Sequence, residues 1–290
     1  MKNYLVYILY GSDDAYYLGA KFSILSFISR YQSDTELEVI VLAEYPEKFE
    51  GFDISVLKLT DDQLAQWSLQ GSYHFRIKNR GLHFIAQHLE LRAVDKILFL
   101  DTDTYFTKNP SAIFDLINAE HSVMHQPGNY IEKEPAGSEY SKLWGFSKIM
   151  GDGSTYKLNP FSRNWGALMI GLQGSNVDTL DVADELMLAF MERDCRAHTI
   201  EQFALAEAIV RQQKLVEGRA LVEHYSTSGR KDYAISVLKI FFATRYNSFQ
   251  EMLIASRAIR FQRPLRVVIA GHFYKKSKKL RAMLGLKIND

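Results

Sequence analysis

The chain of 290 residues has very little cysteine and no long apolar or low-complexity stretch. Its single cysteine, Cys195, excludes an internal disulfide and is typical of a reducing compartment. No run approaches the roughly 18 apolar residues of a membrane span, and the run LVYILY near the start is too short for a signal peptide. These absences predict a cytoplasmic globular protein, long enough to bury a sizeable core.

The net charge of +1 conceals a strong asymmetry along the chain. Residues 230–290 contain fourteen Lys or Arg and three acidic residues, whereas residues 1–229 contain 21 basic and 31 acidic residues. Between Arg257 and Lys287 there are ten basic residues, three aromatic residues and no acidic one. We therefore divide the chain into a domain at 1–229 and a basic C-terminal extension at 230–290. The extension predicts an anionic surface as partner.

Strand and helix patterns alternate through the first hundred residues. Apolar runs at 4–9, 38–43, 52–59 and 97–100 are typical of strands, and apolar residues at helical spacing lie between them. Thr60 to Gln63 has the spacing of a capping box at a helix start. This alternation predicts an α/β fold, with a mainly parallel sheet flanked by helices.

The second half of the domain is less regular. Residues 126–163 are rich in Gly and Pro, and so long a loop in a compact domain is usually functional or locally folded. Around this loop we predict strands at 121–125, 167–172 and 218–225, and helices at 110–118, 177–193 and 200–213.

The most specific motif follows the apolar run Ile97 to Leu100, which ends in Asp101 and Asp103. Side chains two apart on a strand share a face, and open α/β sheets bind ligands at the carboxyl ends of their strands. Two carboxylates at this spacing suit Mg²⁺ or Mn²⁺, which in turn can hold a diphosphate. The plainer alternative is a solvated turn after a strand.

Several landmarks surround this motif in a recognisable order: Asp14-Ala15-Tyr16-x-x-Gly19-Ala20, LFLDTDT, Asn164-x-Gly166, Glu201-Gln202 and His224-Tyr225. In this order the chain resembles the nucleotide-sugar glycosyltransferases of GT-A fold, a Rossmann-like fold. It looks most similar to the group of glycogenin and the bacterial lipopolysaccharide galactosyltransferases (glycosyltransferase family 8-like). The resemblance covers roughly residues 4–231, with the basic extension as a helical appendage.

The resemblance implies a metal site for Mn²⁺ or Mg²⁺. Asp101 and Asp103 would bind the metal, and His224 would supply the third protein ligand. His272 competes for that role, because it also follows an apolar strand pattern.

The resemblance also implies a donor site. Tyr16 would stack on the nucleotide base, with Ser12 and Asp13 near its polar edge. Either Lys78 or Arg80 would face the diphosphate or sugar, and Lys231 would cap the diphosphate. The remaining implied roles are donor-sugar contacts for Asn164 and Gly166 and a catalytic position near the anomeric carbon for Glu201 and Gln202.

The function implied is a metal-dependent, retaining transfer of a sugar from a nucleotide diphosphate sugar, a UDP-sugar in this group, to a glycan or glycolipid acceptor. Lipopolysaccharide or surface polysaccharide synthesis is the implied setting. Tyr130, Tyr140 and Trp144 would form the acceptor platform, since aromatic faces suit sugar rings. The segment 257–290 would attach the protein peripherally to the inner face of the membrane. No recognition motif for nucleic acid accompanies the positive charge.

Two other interpretations remain. A haloacid-dehalogenase-type phosphatase also has a strand that ends in Asp-x-Asp, but it needs Thr or Val where this chain has Tyr105. A non-catalytic nucleotide-sugar binding protein would keep the donor site without turnover.

Overall fold

A computed structural model describes residues 1–227 and 229–262 of the protein. These residues form an α/β fold around a central sheet of seven strands. The strands, including two short two-stranded pairs, are β1 (Asn3–Leu9), β2 (Leu37–Ala43), β3 (Ser55–Lys58), β4 (Lys96–Leu100), β5 (Thr104–Tyr105), β6 (His121–Tyr130), β7 (Ser147–Ile149), β8 (Thr155–Lys157), β9 (Arg163–Gln173), β10 (Lys214–Glu217) and β11 (Glu223–His224). The α-helices are α1 (Asp14–Ile28), α2 (Asp61–Trp67), α3 (Arg76–His88), α4 (Ser111–Asp115), α5 (Thr179–Glu192), α6 (Ile200–Val210), α7 (Arg230–Ala243) and α8 (Phe249–Ser256).

The central sheet has the strand order β10-β6-β9-β4-β1-β2-β3. Only β9 runs against its neighbours, and the pairs β1–β2, β1–β4, β2–β3 and β6–β10 are parallel. All seven residues of β1 are buried, as expected for a central parallel strand covered on both faces. The predicted α/β class with a mainly parallel sheet flanked by helices is confirmed.

The sheet separates two apolar cores. Side chains on one face of β1, including Val6 and Ile8, pack against α3, α5 and α6. Side chains on its other face, including Leu5 and Tyr7, pack against α1 and α4. This division follows from the two-residue period of a strand. The capping box predicted at Thr60 and Gln63 is confirmed at the start of α2.

Two predicted elements differ from the structure. The strand predicted at 218–225 is wrong, since β10 ends at Glu217 and a 3₁₀ turn at Arg219–Leu221 separates it from β11. The predicted strand left out β10 and covered the 3₁₀ turn and β11, because the apolar residues after Gly218 favour one continuous strand. The loop predicted at 126–163 is locally folded: β6 extends through Tyr130, β7 pairs with β8, and β9 already begins at Arg163.

The described part of the C-terminal extension packs against α1. Phe241 on α7 and Phe261 both contact the ring of Phe22, with ring centroids 5.8 and 5.0 Å away. Together with Leu25 and Leu253 these residues form a third apolar cluster. Most of the basic segment at 257–290 lies outside the described residues. Among the residues described, no helix is long and apolar enough to cross a membrane.

The locally folded loop at 126–163 is hydrogen-bonded to a buried carboxyl group on α6, that of Glu207. The side-chain hydroxyls of Tyr156 and Ser162 both donate to Oε2 of Glu207, at 2.8 and 2.7 Å. Burial raises the pKa of Glu207, and the two hydroxyl donors oppose that shift only in part. The folded protein therefore favours the neutral form of this carboxyl more than the unfolded chain does.

We expect Glu207→Gln to reduce the loss of stability on raising the pH. A carboxyl whose pKa is raised in the folded state costs stability as pH rises from its unfolded pKa towards its folded pKa, and the amide does not ionise. Urea unfolding from about pH 4 to about pH 8 measures this, with the exposed Glu192→Gln as control. Parallel pH profiles for Glu207→Gln and wild type would contradict the assignment.

Candidate functional site

A cavity of about 420 Å³ opens at the carboxyl ends of β1 and β4. This volume lies within the range of small-molecule sites in proteins. Its walls come from the end of β1, the turn after β4, and the first turns of α1, α3 and α7. The residues that line it and carry polar groups are Tyr10, Tyr16, His74, Lys78, Asp101, Thr102, Asp103, Tyr225 and Lys231.

The two aspartates of the Asp-x-Asp motif both line this cavity. Nζ of Lys78 lies 3.1 Å from Oδ1 of Asp101 and donates to the carbonyl of Ala167 at 3.2 Å. The site therefore combines two carboxylates with a buried ammonium group. This mixture can bind a cation and an anion together.

The electrostatics of Asp103 are unusual for an aspartate. Burial, and then the charge of Asp101, raise the pKa of Asp103 from 3.8 to about 6, while Lys231 and Lys78 oppose the shift. Two carboxylates that must ionise close together in a partly buried site repel each other. A cation bound between them would relieve that repulsion.

The mouth of the cavity lies between the starts of α1 and α7. Tyr16 is 40% exposed, and Nζ of Lys231 lies 5.5 Å from the centroid of its ring. Tyr16 is therefore accessible to a planar group, and Lys231 provides a positive charge over its ring. The structure brings Tyr16, Lys78, Asp101, Asp103 and Lys231 to one cavity.

Helix α1 approaches the motif so closely that only glycine fits at position 19. A Cβ on Gly19 would lie 2.4 Å from the carbonyl oxygen of Thr102 and 2.9 Å from the hydroxyl of Tyr225. The backbone nitrogen of Tyr225 also donates to the carbonyl of Asp103, at 3.1 Å. The turn that carries both aspartates is thus held between α1 and the segment after β11.

The sequence left open whether Lys78 or Arg80 faces the site, and the structure distinguishes the two. Lys78 points into the cavity, whereas Arg80 bonds Asp181 at 3.3 Å and lies 3.8 Å from Asp184 on α5. Residues two apart on a helix point in directions about 200° apart, so only one of them can face the cavity.

Glu201 is buried behind the cavity and does not line it. Its side chain is 1% exposed; Oε2 accepts a hydrogen bond from the hydroxyl of Tyr73, and Oε1 has no partner among the described residues. Burial raises the pKa of Glu201, and Lys78 partly opposes the shift. Burial also raises the pKa of Tyr10, a cavity residue within electrostatic range of both Asp101 and Glu201.

Gln202 supports an irregular stretch of β9 next to the motif. Gln126 pairs with Gly166 and Met124 with Ile170, so three residues of β9 lie opposite a single residue of β6. Oε1 of Gln202 accepts from the backbone nitrogen of Ala167, at 3.0 Å. Since Lys78 donates to the carbonyl of Ala167, two predicted site residues stabilise this irregularity.

Asn164 and Gly166 lie near the start of β9 and do not line the cavity. Nδ2 of Asn164 donates to Oγ1 of Thr199 at 3.2 Å, and its Oδ1 is buried without a partner among the described residues. A Cβ on Gly166 would make only ordinary contacts, the nearest at 3.6 Å to Nδ1 of His125. The protein's own packing therefore does not demand glycine there.

His224 lines a different cavity, of about 590 Å³, together with His125, Arg219 and Arg230. The rings of His224 and His125 are perpendicular, with centroids 5.4 Å apart, and Nδ1 of His224 is 2.9 Å from Oγ of Ser226. His224 precedes Tyr225, which lines the first cavity, and consecutive side chains of an extended segment point to opposite sides.

The residues at the motif fit a divalent cation in part. Asp101 and Asp103 line the same cavity and supply carboxylate oxygens, the ligand type that such a cation prefers. Among residues 1–227 and 229–262, however, no group of three or more His, Cys, Asp or Glu side chains could hold a metal ion. The structure does not bring His224 to the two aspartates, and its competitor His272 lies outside the described residues.

Ser12 and Asp13 are exposed and have local structural roles. Oδ1 of Asp13 caps α1 by accepting from the backbone nitrogen of Ala15, at 2.9 Å, and the carbonyl of Ser12 accepts from Lys48 at 3.1 Å. Tyr10, His74 and Phe75 line the cavity, and we predicted no role for them from the sequence. Tyr10 directly follows β1, the same position that Asp101 has after β4, and this parallel could have identified it.

Neither a scan against protein-family models nor a search of curated proteins gives a match for this chain.

Proposed function

We propose that the protein is a GT-A-type glycosyltransferase that takes a sugar from a nucleotide diphosphate sugar, in the manner of the glycosyltransferase family 8-like group. The observation that carries this proposal is the joint presence of Asp101, Asp103, Lys78 and Lys231 around one cavity, with Tyr16 at its mouth. A nucleoside diphosphate has a planar base and a polyanion, and the cavity has a group for each.

The chemistry requires charge stabilisation on the leaving group. Transfer of the sugar leaves negative charge on the diphosphate, and a divalent cation held by Asp101 and Asp103 would stabilise that charge. Lys78 and Lys231 supply fixed positive charge on the same cavity wall. The two carboxylates favour Mn²⁺ or Mg²⁺, with the remaining ligands drawn from the diphosphate and water.

Catalytic roles for Glu201 and Gln202 need rearrangement, since neither lines the cavity. Tyr73 positions Glu201 and the backbone of Ala167 engages Gln202. We therefore propose both as positioning residues: Gln202 for the turn beside Asp101, and Glu201 for the electrostatic surroundings of Lys78 and Tyr10. Retention of anomeric configuration comes from the resemblance alone.

The acceptor is proposed to be a glycan or glycolipid. Of the aromatic residues considered for its platform, Tyr140 is half-buried and packs against the core, with its ring 5.3 Å from that of Phe203 and its hydroxyl 2.8 Å from Oγ1 of Thr199. Trp144 remains 46% exposed, and Tyr130 stacks with the guanidinium of Arg163 at 4.4 Å. We retain Tyr130 and Trp144 as acceptor contacts. Peripheral attachment through 257–290 also stays a proposal.

Calorimetric titration of uridine diphosphate, with and without Mn²⁺, tests the proposed function. We expect binding that depends on the metal, followed by slow hydrolysis of a matching UDP-sugar. Absence of binding under both conditions would reject a uridine-based donor site and favour the phosphatase alternative, which a screen of phosphate esters would then examine.

The two cations on α3 provide a matched pair of variants. We expect Lys78→Met to weaken binding of uridine diphosphate roughly tenfold or more, because a charge-assisted hydrogen bond contributes about 1.5–3 kcal/mol. Arg80→Met should leave nucleotide affinity unchanged, since Arg80 is paired with Asp181 outside the cavity. Equal losses in the two variants, measured by the same titration, would reject this assignment of Lys78.

A further inference from the structure

A second cluster of positive charge lies outside the proposed donor site, on the opposite side of the start of α1. Lys21, Lys48 and Lys239 line a cavity of about 320 Å³ together with Asp14. Its apolar wall includes Leu18 and Phe242. No residue of this cavity lines the cavity of Asp101 and Asp103.

Lys21 is held in this cavity by aromatic rings rather than by an anion. Its Nζ lies 5.9, 5.5 and 5.9 Å from the ring centroids of Phe49, Phe52 and Phe242. In the part of the chain that the structure describes, Lys21 makes no ion pair. The rings fix the direction of the side chain and leave the ammonium without a negative partner.

The one acidic residue of the cluster is already engaged. Oδ1 of Asp14 is 2.6 Å from Nζ of Lys48, which also donates to the carbonyl of Ser12 and lies 4.3 Å from the ring centroid of Tyr17. Lys48 lowers the pKa of Asp14, and Lys239 and Lys21 add smaller contributions, so the four charges act on one another. Three ammonium groups around one carboxylate leave an excess of two positive charges.

This excess matches a particular kind of ligand. A phosphate monoester carries a charge of about −1.5 to −2 at neutral pH and has three oxygens that accept charge-assisted hydrogen bonds. The apolar wall around Leu18 and Phe242 suits the organic part of such an ester. Burial, followed by repulsion from Lys48, lowers the pKa of Lys21, and the attraction of a bound dianion would oppose both effects.

We propose that Lys21, Lys48 and Lys239 form a binding site for a phosphate monoester. The site is independent of the proposed sugar transfer, because it shares no residue with the donor cavity. The monoester is either a small soluble compound or the headgroup of a lipid with a terminal phosphate. Both sources present the same group to the three lysines.

Titration of the full-length protein with glycerol phosphate tests the site. We expect Lys21→Met and Lys239→Gln each to weaken binding roughly tenfold, the effect of losing one charge-assisted contact. Methionine keeps the apolar stem of Lys21 between the rings, and Lys239 is exposed, so at least one variant should fold normally. Lys157→Gln, which removes an exposed lysine on β8, should bind as wild type does.

Lys78→Met separates this site from the donor cavity. Binding of glycerol phosphate that survives in Lys78→Met and is lost in Lys21→Met supports the proposal. Binding that survives in Lys21→Met and Lys239→Gln but is lost in Lys78→Met would overturn it, whatever the outcome for uridine diphosphate. Equal affinity in all variants would overturn it as well.

Vesicles distinguish the two sources of the phosphate. We expect sedimentation with phosphatidylcholine vesicles containing phosphatidic acid, relative to pure phosphatidylcholine, to fall in Lys21→Met if the ligand is a lipid. Unchanged sedimentation together with weaker glycerol phosphate binding assigns the site to a soluble ester. If neither measurement changes in Lys21→Met and Lys239→Gln, the proposal is wrong.

Discussion

Asp103→Asn is expected to abolish Mn²⁺-dependent binding of uridine diphosphate and donor turnover, with a loss of at least about 100-fold, while the fold is retained. The variant removes one of the two carboxylates on the cavity wall and replaces it with a neutral amide of nearly the same shape. A metal contributes several kcal/mol of charge stabilisation to such a reaction, and a factor of ten corresponds to about 1.4 kcal/mol. Calorimetry and donor hydrolysis measure the two losses.

The same substitution should stabilise the metal-free protein at neutral pH. Since burial and Asp101 raise the pKa of Asp103 from 3.8 to about 6, the ionised side chain costs the folded state at most about 3 kcal/mol above that pH. The penalty arises as pH rises from about 4 to about 6, so wild type and Asp103→Asn should be equally stable below that window. Urea unfolding at several pH values, without metal, measures the difference.

Asp115→Asn is the matched control, because Asp115 is exposed at the end of α4 and does not line the cavity. It should bind metal and nucleotide as wild type does and show no pH-dependent gain in stability. If Asp103→Asn kept metal-dependent binding, the assignment of the motif as a metal site would be wrong. Binding sites commonly gain function at a cost in stability. We expect Asp103→Asn to do the opposite, since it should lose metal-dependent binding and gain stability at neutral pH.

The central part of this fold follows closely from local patterns. The continuous apolar run before Asp101 predicts a strand that is buried on both faces, as β4 is. The bounds of β4 in the structure differ by one residue from the predicted ones. The Asp-x-Asp motif lies at the carboxyl end of that strand, where sheet topology places ligand sites. Predictions of this kind succeed when a single element determines the position of the residue.

The sequence could not decide positions that depend on packing between elements. Lys78 and Arg80 have similar charge, and only the orientation of α3 against the sheet decides which of them faces the cavity. Tyr140 has an aromatic ring of the kind that binds sugars, yet the loop folds so that this ring packs on Phe203. His224 is adjacent in sequence to a cavity residue but faces a different cavity. No local sequence pattern shows how these elements are oriented relative to one another.

At Gly19 local helix preference and packing between elements make opposite predictions, because α1 lies very close to the Asp-x-Asp turn there. In a helix, alanine is favoured over glycine by about 1 kcal/mol, so local preference alone would predict that Gly19→Ala stabilises the protein. The structure predicts the reverse. The added Cβ would lie 2.4 Å from the carbonyl oxygen of Thr102, and a backbone carbonyl cannot rotate away as a side chain can.

We expect Gly19→Ala to lower the free energy of unfolding by about 1–3 kcal/mol, the usual effect of overpacking. It should also weaken metal-dependent nucleotide binding up to about 100-fold, because a displacement of about 1 Å at Thr102 moves both neighbouring aspartates. Gly81→Ala is the control on another helix. Its Cβ would meet the terminal carbon of Ile8 at 2.9 Å, which can adjust by rotation, so both losses should be much smaller.

A double variant identifies which contact is responsible. The Cβ on residue 19 would also lie 2.9 Å from the hydroxyl of Tyr225, and Tyr225→Phe removes that oxygen. If the carbonyl of Thr102 is the obstacle, Gly19→Ala combined with Tyr225→Phe should remain as impaired as Gly19→Ala alone. Recovery of nucleotide affinity in the double variant would instead show that the tyrosine was displaced and the aspartates were not. Glycine at position 19 would then be required by the side chain of Tyr225 in the cavity wall, and not by the carbonyl of Thr102 in the Asp-x-Asp turn.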